Sequence, residues 1–268
     1  MNDRLRVMIT GASSGIGLET AREFARRGAR LVITARRGQK LEELAAELRA
    51  AGTEVHVVPA DLLDRGTPTY LIEQTIQRLG GLDILVNNAG YGLPTLFHDS
   101  NPEDLRRQIE VNLVAPILTT RAALAALEAS RGMVINIGSS LSVAAIPAFG
   151  VYGMTKAALA YWNDAIRREL QPRGIRVCLV EPGPISTEFF DVVEQAAGDR
   201  ELPSWLKRPP AALSGRPDDA ARRIATLATR PRRRISMLRR TVWPLRVLGG
   251  LVRLFPGVGD AFFRPKPE

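Results

Sequence analysis

The sequence predicts an α/β protein in which helices cover both faces of a doubly wound, mostly parallel sheet. From residue 5 to about residue 180, short β-branched runs alternate with longer helical patterns, and turn residues follow each run. Several runs are apolar on both faces, as in Leu31-Val32-Ile33, which is typical of strands buried between two helical layers. Because crossovers between parallel strands are right-handed, this alternation gives three layers in the order α/β/α.

Six strands are predicted in this region. They span residues 5–10, 30–34, 54–58, 83–87, 132–137 and 175–180. A helical pattern from Leu18 to Arg27 follows the first strand, and the spacing of leucines 41, 44 and 48 predicts a helix over residues 39–50. A longer helix is predicted from about Val151 to Gln171, because Pro172 ends the pattern.

The pattern weakens after Pro182. Four prolines between residues 203 and 217 predict an irregular flap at about 186–216, followed by a helix over about 218–229. The chain has no internal repeat and no low-complexity linker. We therefore predict one domain over residues 1–236 and a C-terminal extension over residues 237–268, which is not a domain by itself.

Composition and charge narrow the class of protein. Of 268 residues, 45% are hydrophobic and 24% charged, which is typical of a globular protein with a large core. The net charge is +9. Residues 205–268 hold 15 Lys/Arg and 4 Asp/Glu, whereas residues 1–204 hold 22 Lys/Arg and 24 Asp/Glu, so the positive charge belongs to the C-terminal part. A nearly neutral body argues against nucleic acid as a partner. The N-terminus lacks the pattern of a signal peptide, so a cytoplasmic location is predicted.

A glycine-rich turn follows the first predicted strand. Residues 10–17, T-G-A-S-S-G-I-G, carry glycines in the spacing G-x-x-x-G-x-G directly before a helical pattern. Glycines let the backbone approach a diphosphate, whose charge the amides and the helix N-terminus stabilise. The turn predicts a Rossmann-type dinucleotide site, although a plain βα turn gives a similar short pattern. The predicted contacts are Gly11, Ser13, Ser14, Gly15, Ile16 and Gly17.

The end of the second predicted strand indicates which dinucleotide is bound. Ala35-Arg36-Arg37 stands where an acidic residue would bind the ribose 2′-hydroxyl of NAD. Arginine binds a 2′-phosphate well, and the missing carboxylate removes a repulsion. NADP(H) is therefore favoured over NAD(H). The alternative is that Arg36 and Arg37 are simply solvated at the start of a helix.

Two further turns follow the third and fourth predicted strands. Asp61-Leu62 and the segment Asn87-Asn88-Ala89-Gly90 lie at the carboxyl ends of neighbouring parallel strands, so both are expected to face the same crevice. Asp61 could accept a hydrogen bond from an adenine amino group, while Asn88 and Gly90 would let the chain pass close to the cofactor. These are also common turn residues, so neither segment is decisive by itself.

The residues that indicate the chemistry are Ser139, Tyr152 and Lys156. A tyrosine and a lysine four residues apart share one face of a helix, so the ammonium can favour ionisation of the phenol. A free tyrosine has a pKa of about 10, and a general acid or base works best near the working pH. Ser139 follows the fifth strand, where its hydroxyl could hold a substrate oxygen. A bare Y-x-x-x-K pattern is otherwise more often a helix-surface pair.

Taken together, these motifs resemble the short-chain dehydrogenase/reductase family. T-G-A-S-S-G-I-G, N-N-A-G, Asn112, Ser139, Y-G-M-T-K and P-G-P-I-S-T occur in the family's order and near its spacing, from about residue 5 to residue 190. The resemblance implies that Tyr152 transfers a proton, that Lys156 lowers its pKa and binds the nicotinamide ribose, and that Ser139 orients the carbonyl. It also implies that Asn112 holds a water in a proton relay.

The resemblance implies further cofactor contacts and an assembly. The segment after the sixth strand is expected to orient the nicotinamide carboxamide through Ile185 and Thr187. The cofactor contacts implied beyond the glycine turn are Asp61, Leu62, Asn88, Ala89, Gly90, Tyr152, Lys156, Pro182, Gly183, Ile185 and Thr187. Family members commonly pair through long helices, so a homodimer or homotetramer is implied as well.

The activity predicted from these residues is NADP(H)-dependent transfer of hydride between the nicotinamide and a carbonyl or alcohol, with a lipophilic small molecule as substrate. The alternative is a catalytically silent NADP(H) sensor or scaffold, since a fold does not fix a function. An intact Ser139, Tyr152 and Lys156 set argues against it, because a sensor needs only the nucleotide site. His56 and His98 lack metal-ligand spacing, so no metal is predicted.

The extension departs from the family pattern. Leu245, Leu248, Val252 and Phe255 follow helical spacing, with arginines between them. No stretch of it reaches the roughly 20 uncharged apolar residues of a membrane span. The apolar face could lie on an anionic membrane surface as a peripheral contact, or pack on the enzyme body or a partner subunit.

Overall fold

A computed structural model describes residues 4–143, 145–185, 187–189, 191 and 214–237 of the chain. Most of the predicted flap at 186–216, Ser186 included, lies outside these described residues. The predicted extension lies outside them as well, apart from Met237. The amphipathic pattern of the extension therefore stays a prediction.

The described strands form one parallel sheet of seven strands in the order β3-β2-β1-β4-β5-β6-β7. The strands are β1 (Arg6–Thr10), β2 (Arg30–Thr34), β3 (Val55–Val57), β4 (Ile84–Asn87), β5 (Met133–Ile137), β6 (Arg176–Glu181) and β7 (Arg234–Ser236). The order reverses direction between β1 and β4, which confirms the doubly wound α/β fold predicted from the sequence. The first six strands agree with their predicted positions to within one residue at either end.

Helices cover both faces of the sheet. They are α1 (Gly15–Arg26), α2 (Gly38–Ala50), α3 (Thr67–Leu79), α4 (Pro102–Ile109), α5 (Ala115–Ala129), α6 (Gly150–Leu170) and α7 (Pro217–Thr226), with a π-helical turn at Glu110–Val114 between α4 and α5. Short 3₁₀ turns occur at Phe97–Asp99, Ser140–Val143 and Gln171–Arg173. Helix α1 begins three residues before the predicted start, because its first turn is formed by the glycine-rich segment itself.

Two apolar layers hold the sheet between the helices. One layer packs Phe24 of α1, Leu41 of α2 and Ile224 of α7 against one face. The other packs Leu71 of α3 and Leu127 of α5 against the opposite face. Burial on both faces explains why the central strands are continuously apolar, and it completes the three-layer arrangement.

The helical stretch Pro102–Ala129 is long and apolar enough to cross a membrane, judged by length and composition alone. Ala115, Ala123 and Leu127 are nonetheless buried in this fold, and Ala123 and Leu127 belong to the apolar layer beside the sheet. The same length and composition are found in core helices, so this stretch is weak evidence for a membrane span.

Cys178 lies in β6 with 1% of its surface exposed, within the apolar layer that contains α1. Burial raises the pKa of its thiol. Both observations agree with the interpretation of this residue as part of the core.

Candidate active site

The glycine-rich turn after β1 is built so tightly that side chains would not fit. Gly11 and Gly15 have φ values of +68° and +56°, in the region that favours glycine. A Cβ atom on Gly11 would lie 2.8 Å from Cα of Ala89, and one on Gly17 would lie 2.3 Å from the carbonyl oxygen of Gly11. The turn therefore requires glycine at these positions.

The N-terminus of α1 is open to an anion. Ser14 precedes the helix in extended conformation without a side-chain hydrogen bond to the first turn, and the first turn contains no acidic residue. The amides there are therefore available to a ligand, and the partial positive charge of the helix end favours a diphosphate. This geometry fits the dinucleotide predicted from the glycine spacing.

Asn88 holds this turn from the neighbouring strand. Its side-chain amide donates hydrogen bonds to the carbonyl oxygens of Thr10 at 2.9 Å and Gly11 at 3.1 Å. The backbone N–H groups of Asn88 and Ala89 both donate to Oγ1 of Thr10 at 3.0 Å. The side chain of Asn88, which the sequence placed beside the cofactor, thus fixes the shape of the glycine turn.

Arg37 reaches the glycine turn from the end of β2. Its guanidinium donates to Oγ of Ser13 at 3.0 and 3.1 Å and to Oγ of Ser14 at 2.7 Å. Arg36 and Arg37 are both exposed. Two cations thus stand at the outer end of the nucleotide crevice, and one of them already contacts the residues predicted to hold phosphate.

Asp61 and Leu62 follow β3, whose end is joined to β2 by a hydrogen bond from the N–H of Ala60 to the carbonyl of Ala35 at 3.1 Å. One carboxylate oxygen of Asp61 accepts the N–H of Leu63 at 3.0 Å, which leaves the other oxygen for a ligand. The side chain of Leu62 packs against the apolar layer that contains α3. The contact of Leu62 with the cofactor stays a prediction.

The structure brings Ser139, Tyr152 and Lys156 together at the carboxyl end of β5. Their exposed fractions are 8%, 8% and 4%. Oγ of Ser139 accepts the N–H of Leu141 at 3.1 Å, and its proximity to the Tyr152 hydroxyl lowers the pKa of that phenol. The ammonium of Lys156 donates to the carbonyl oxygen of Ile137 at 3.0 Å and lies 5.9 Å from the centre of the Tyr152 ring. The alternative that Tyr152 and Lys156 form a pair on the helix surface is therefore wrong, because both side chains are buried.

Burial dominates the acidity of this cluster. The Tyr152 ring packs against Phe149 and Phe189, with ring centres 6.2 and 5.6 Å away. Burial raises the pKa of Tyr152 to about 12, and the hydrogen bond with Ser139 lowers it only in part. Burial also lowers the pKa of Lys156 to about 8. In this arrangement the phenol is therefore less acidic than a free tyrosine, contrary to the expectation that the lysine charge would lower its pKa.

Asn112 occupies the π-helical turn Glu110–Val114 and is fully buried. Its Oδ1 accepts the N–H of Tyr91 at 2.9 Å, and its Nδ2 donates to the carbonyl of Tyr91 at 2.8 Å and to Oγ1 of Thr155 at 3.2 Å. A Cβ on Gly90 would lie 2.8 Å from Oδ1 of Asn112. The side chain of Asn112 thus fixes the loop after β4 to α6, and π-helical turns are frequent at functional sites. The water that Asn112 is expected to hold stays a prediction.

The segment after β6 returns to the same crevice. Its predicted contacts are Pro182, Gly183, Ile185 and Thr187. The carbonyl of Pro182 accepts the N–H of Ser140 at 2.8 Å, and Ile185 is 7% exposed. A Cβ on Gly15 would lie 3.1 Å from Cγ2 of Thr187. Thr187 therefore lies at the start of α1, as expected for a residue that contacts a bound dinucleotide.

Sequence reasoning missed a buried amide network behind the site. Nδ2 of Asn87 donates to Oδ1 of Asn136 at 2.9 Å and to Oγ1 of Thr120 at 3.0 Å. Nδ2 of Asn136 donates to Oδ1 of Asn163 at 3.0 Å. The network joins β4, β5 and α6, so it fixes the helix that carries the tyrosine and lysine. Asn163 lies seven residues, or two helical turns, beyond Lys156, and this spacing alone is too weak a signal to identify it.

A cavity of about 710 Å³ lies beside the start of α6. It is bordered by the loop after β4 and by the segment that leads into α6. Its apolar lining includes Leu93, Leu96, Phe97, Leu105, Ile146 and Val151, and its polar lining includes Asp99, Asp104 and Gln108. Ile146 also packs against the Phe149 and Tyr152 cluster, so the cavity adjoins the candidate catalytic residues.

Within the described ranges, no group of three His, Cys, Asp or Glu side chains could hold a metal ion. The arrangement that is present consists of a glycine turn, an open helix end and buried hydroxyl and ammonium groups. Such a site can bind a nucleotide and can donate hydrogen bonds to a substrate oxygen.

A doubly wound sheet that gathers these groups at its strand ends defines a class of dinucleotide-dependent oxidoreductases. Residues 6–198 match the family described as short chain dehydrogenase. The chain belongs to the short-chain dehydrogenase family.

Curated relatives include oxidoreductases of different description. An uncharacterized oxidoreductase of Mycobacterium tuberculosis is 36% identical over 231 residues, which cover 85% of this chain and 86% of that protein. The 11-beta-hydroxysteroid dehydrogenase A of Sesamum indicum is 35% identical over 236 residues, which cover 86% of this chain and 67% of that protein.

Solved structures agree with the fold. A short-chain dehydrogenase from Sphingobium yanoikuyae in complex with NADPH is 30% identical with a TM-score of 0.77, covering 94% of each chain. A short-chain dehydrogenase/reductase from Burkholderia phymatum in complex with NAD has a TM-score of 0.84 at 22% identity, covering 94% of this chain and 95% of that one. The second likeness shows the fold alone. A nicotinamide dinucleotide is thus the cofactor class of this family.

Proposed function

We propose that the protein is an NADP(H)-dependent oxidoreductase that transfers hydride between the nicotinamide and the carbonyl or alcohol carbon of a lipophilic substrate. The observation that carries the proposal is the buried cluster of Ser139, Tyr152 and Lys156, which adjoins the loop after β4 that also holds the glycine turn. In that loop, a Cβ on Gly90 would lie 3.2 Å from Nζ of Lys156, and Asn88 donates to the carbonyl of Gly11. Buried hydroxyls and an open helix N-terminus joined by one loop fit a site for a carbonyl oxygen and a dinucleotide.

Different residues would bind different parts of the dinucleotide. Amides of the glycine turn and of α1 would hold the diphosphate, and Arg36 and Arg37 would hold a 2′-phosphate. Lys156 would bind the nicotinamide ribose, and Ile185 and Thr187 would orient the carboxamide. When bound, the nicotinamide supplies or accepts the hydride.

The hydroxyls of Ser139 and Tyr152 would donate to the substrate oxygen during carbonyl reduction. Negative charge develops on that oxygen, and fixed donors in a buried site stabilise it without reorganisation. A pKa of about 12 keeps Tyr152 protonated at neutral pH, so the phenol is ready to give up its proton in this direction.

The first prediction concerns cofactor choice. Replacing both Arg36 and Arg37 with alanine is expected to weaken NADPH binding by about 10- to 100-fold, because charge-assisted hydrogen bonds to the 2′-phosphate contribute about 1.5–3 kcal/mol. NADH binding should change little. Dissociation constants from nicotinamide fluorescence would measure both. Arg78→Ala, on the exposed face of α3, is the matched control. An equal loss for NADPH and NADH would contradict the role of these arginines.

The second prediction concerns the substrate. Phe149 and Phe189 surround the tyrosine ring, and the adjoining cavity is largely lined by apolar side chains. The name of the relative from Sesamum indicum is consistent with a lipophilic compound. In a series of aldehydes or ketones of increasing chain length, kcat/KM should rise about fourfold per methylene, since each buried methylene contributes about 0.8 kcal/mol.

The same screen tests the whole proposal. It would use NADPH and NADH in turn with each carbonyl compound, and NADP and NAD with the matching alcohols. A flat or falling series would contradict the lipophilic substrate. NADPH binding without turnover of any compound would instead favour the silent sensor or scaffold.

Assembly and location stay predictions. Leu118 of α5 and Met154 and Tyr161 of α6 are 44%, 51% and 82% exposed, which supports the proposed homodimer or homotetramer through these helices. We propose a cytoplasmic protein with peripheral membrane contact through residues 237–268, on the evidence of the sequence pattern alone.

A further inference from the structure

Glu188 links two segments that are far apart in the sequence. Its Oε2 lies 2.7 Å from Nη1 of Arg37, and its Oε1 lies 2.7 Å from Nζ of Lys40. Glu188 follows β6, whereas both cations flank the start of α2. One carboxylate therefore binds two cations across the carboxyl edge of the sheet.

Arg37 stands at the predicted phosphate end of the nucleotide crevice, and Lys40 lies in the first turn of α2. The guanidinium of Arg37 that meets Glu188 through Nη1 also contacts the hydroxyls of Ser13 and Ser14 through Nε and Nη2. Glu188 thus supplies an anion to the same guanidinium that faces the glycine turn. A carboxylate and a phosphate are both bound by arginine through paired N–H···O⁻ contacts.

The neighbours of Glu188 extend this link towards the catalytic residues. Thr187 contacts the start of α1 at Gly15, and Phe189 packs on the Tyr152 ring with 5.6 Å between ring centres. Three consecutive residues therefore touch the glycine turn, the cations and the catalytic tyrosine in that order.

We propose that Glu188 is a specificity-determining residue for the cofactor, because its carboxylate occupies the cations that a 2′-phosphate would bind. This inference rests on the proposed preference for NADP(H). The 2′-phosphate would compete with Glu188 for Arg37, whereas NAD(H), which lacks this phosphate, leaves the ion pairs in place. Glu188 thus lowers the affinity for NADP(H) but not that for NAD(H). It reduces the preference for NADP(H) over NAD(H) that Arg36 and Arg37 create.

The competing anion is present at every ordinary pH. Hydrogen bonds from Lys40 and Arg37 lower the pKa of Glu188 to about 2. The carboxylate is therefore ionised throughout the neutral range, so the competition does not depend on a change of pH near neutrality. The partners are about half exposed, with side-chain exposures of 43–45%, so each ion pair is weak enough for a phosphate to displace.

The test compares the full-length protein with Glu188→Gln. Dissociation constants would be measured for NADPH and NADH, and for adenosine 2′,5′-bisphosphate and AMP as fragments with and without the 2′-phosphate. In E188Q, the affinity for the two 2′-phosphorylated compounds should rise about five- to tenfold, while that for NADH and AMP should change less than about twofold. The difference should shrink at high salt, because the pairs are exposed.

Two variants separate competition from other effects. Glu43→Gln removes the same charge from the exposed face of α2 and should change all four affinities less than about twofold. Glu188→Ala should act in the same direction as E188Q, since both remove the competing charge. Thermal unfolding would show that each variant is folded.

The outcomes distinguish this inference from the proposed function. Unchanged or weaker binding of 2′-phosphorylated compounds by E188Q and E188A would overturn the role of Glu188, and weaker binding would mean that it braces Arg37. Wild-type protein that binds NADPH no more tightly than NADH would overturn the NADP(H) preference itself. The ratio of the NADPH and NADH dissociation constants in the wild type thus tests the proposed function. The change of that ratio in the Glu188 variants tests the role of Glu188.

Discussion

Tyr152→Phe is expected to lower kcat/KM by about 10²- to 10⁴-fold, the usual contribution of a general acid. The substitution removes one hydroxyl and keeps the ring that packs between Phe149 and Phe189. It leaves the substrate oxygen with the Ser139 hydroxyl alone and with no acid to protonate it. Binding of NADPH and the melting temperature should remain close to those of the wild type. Steady-state reduction of the best carbonyl substrate from the screen would measure the effect.

Tyr70→Phe is the matched control for this experiment. It makes the same change on α3, at a residue that is 48% exposed and lies outside both the site and the proposed interface. Its kcat/KM should equal that of the wild type within error. Retention of most activity by Y152F, alongside an unaffected control, would exclude the phenol as the proton donor and with it the mechanism proposed above.

The fold was predictable because strands that are buried on both faces are continuous apolar runs in the sequence. The strands β1, β2, β4, β5 and β6 are apolar runs whose ends agree with the structure to within one residue. The strand β7 has the sequence Arg-Ile-Ser, which is not an apolar run. Its position follows from pairing with β6, in the register of Leu179 with Arg234, which no local pattern reveals.

The site was predictable as a set of residues but less so in its chemistry. Ser139, Tyr152 and Lys156 could be found because spacing along one helix and position after a strand are local properties. The pKa of Tyr152 is raised because its ring is buried, in part against Phe189, which lies 37 positions further along the chain. Packing between such distant residues leaves no periodic signal in the sequence. The sequence therefore predicted that the lysine charge sets the pKa of the phenol, whereas burial has the larger effect in the structure.

The same limit applies to the two asparagines of the site. The resemblance predicts that Asn88 contacts the cofactor and that Asn112 holds a water, and both stay predictions. In the structure Asn88 binds the carbonyls of Thr10 and Gly11, and Asn112 binds the backbone of Tyr91. An amide has two donors and an acceptor, and a buried backbone satisfies them as well as a ligand does. Sequence alone cannot distinguish the two.

Gly17→Ala is expected to have the largest effect outside the catalytic residues. The added Cβ would lie 2.3 Å from the carbonyl oxygen of Gly11 and 2.4 Å from Nδ2 of Asn88. Both atoms are held by the hydrogen bond between them, so neither can move without breaking the contact that shapes the turn. Overpacking of this kind costs about 1–3 kcal/mol in the free energy of unfolding. Displacement of the amides that would bind the diphosphate should weaken NADPH binding by about 10- to 100-fold, because hydrogen bonds to a charged group contribute about 1.5–3 kcal/mol.

Gly38→Ala separates this effect from the general consequences of replacing a glycine. A Cβ there would lie 3.4 Å from Cγ of Pro59, an ordinary contact, and Gly38 begins α2 without a positive φ. Alanine should leave the free energy of unfolding unchanged or raise it by up to about 1 kcal/mol, because it restricts the unfolded chain. Denaturant unfolding and cofactor fluorescence would be measured for both variants. NADPH binding by G17A at the affinity of the wild type would show that the turn can open without loss, and the diphosphate would then have to be held elsewhere in the crevice.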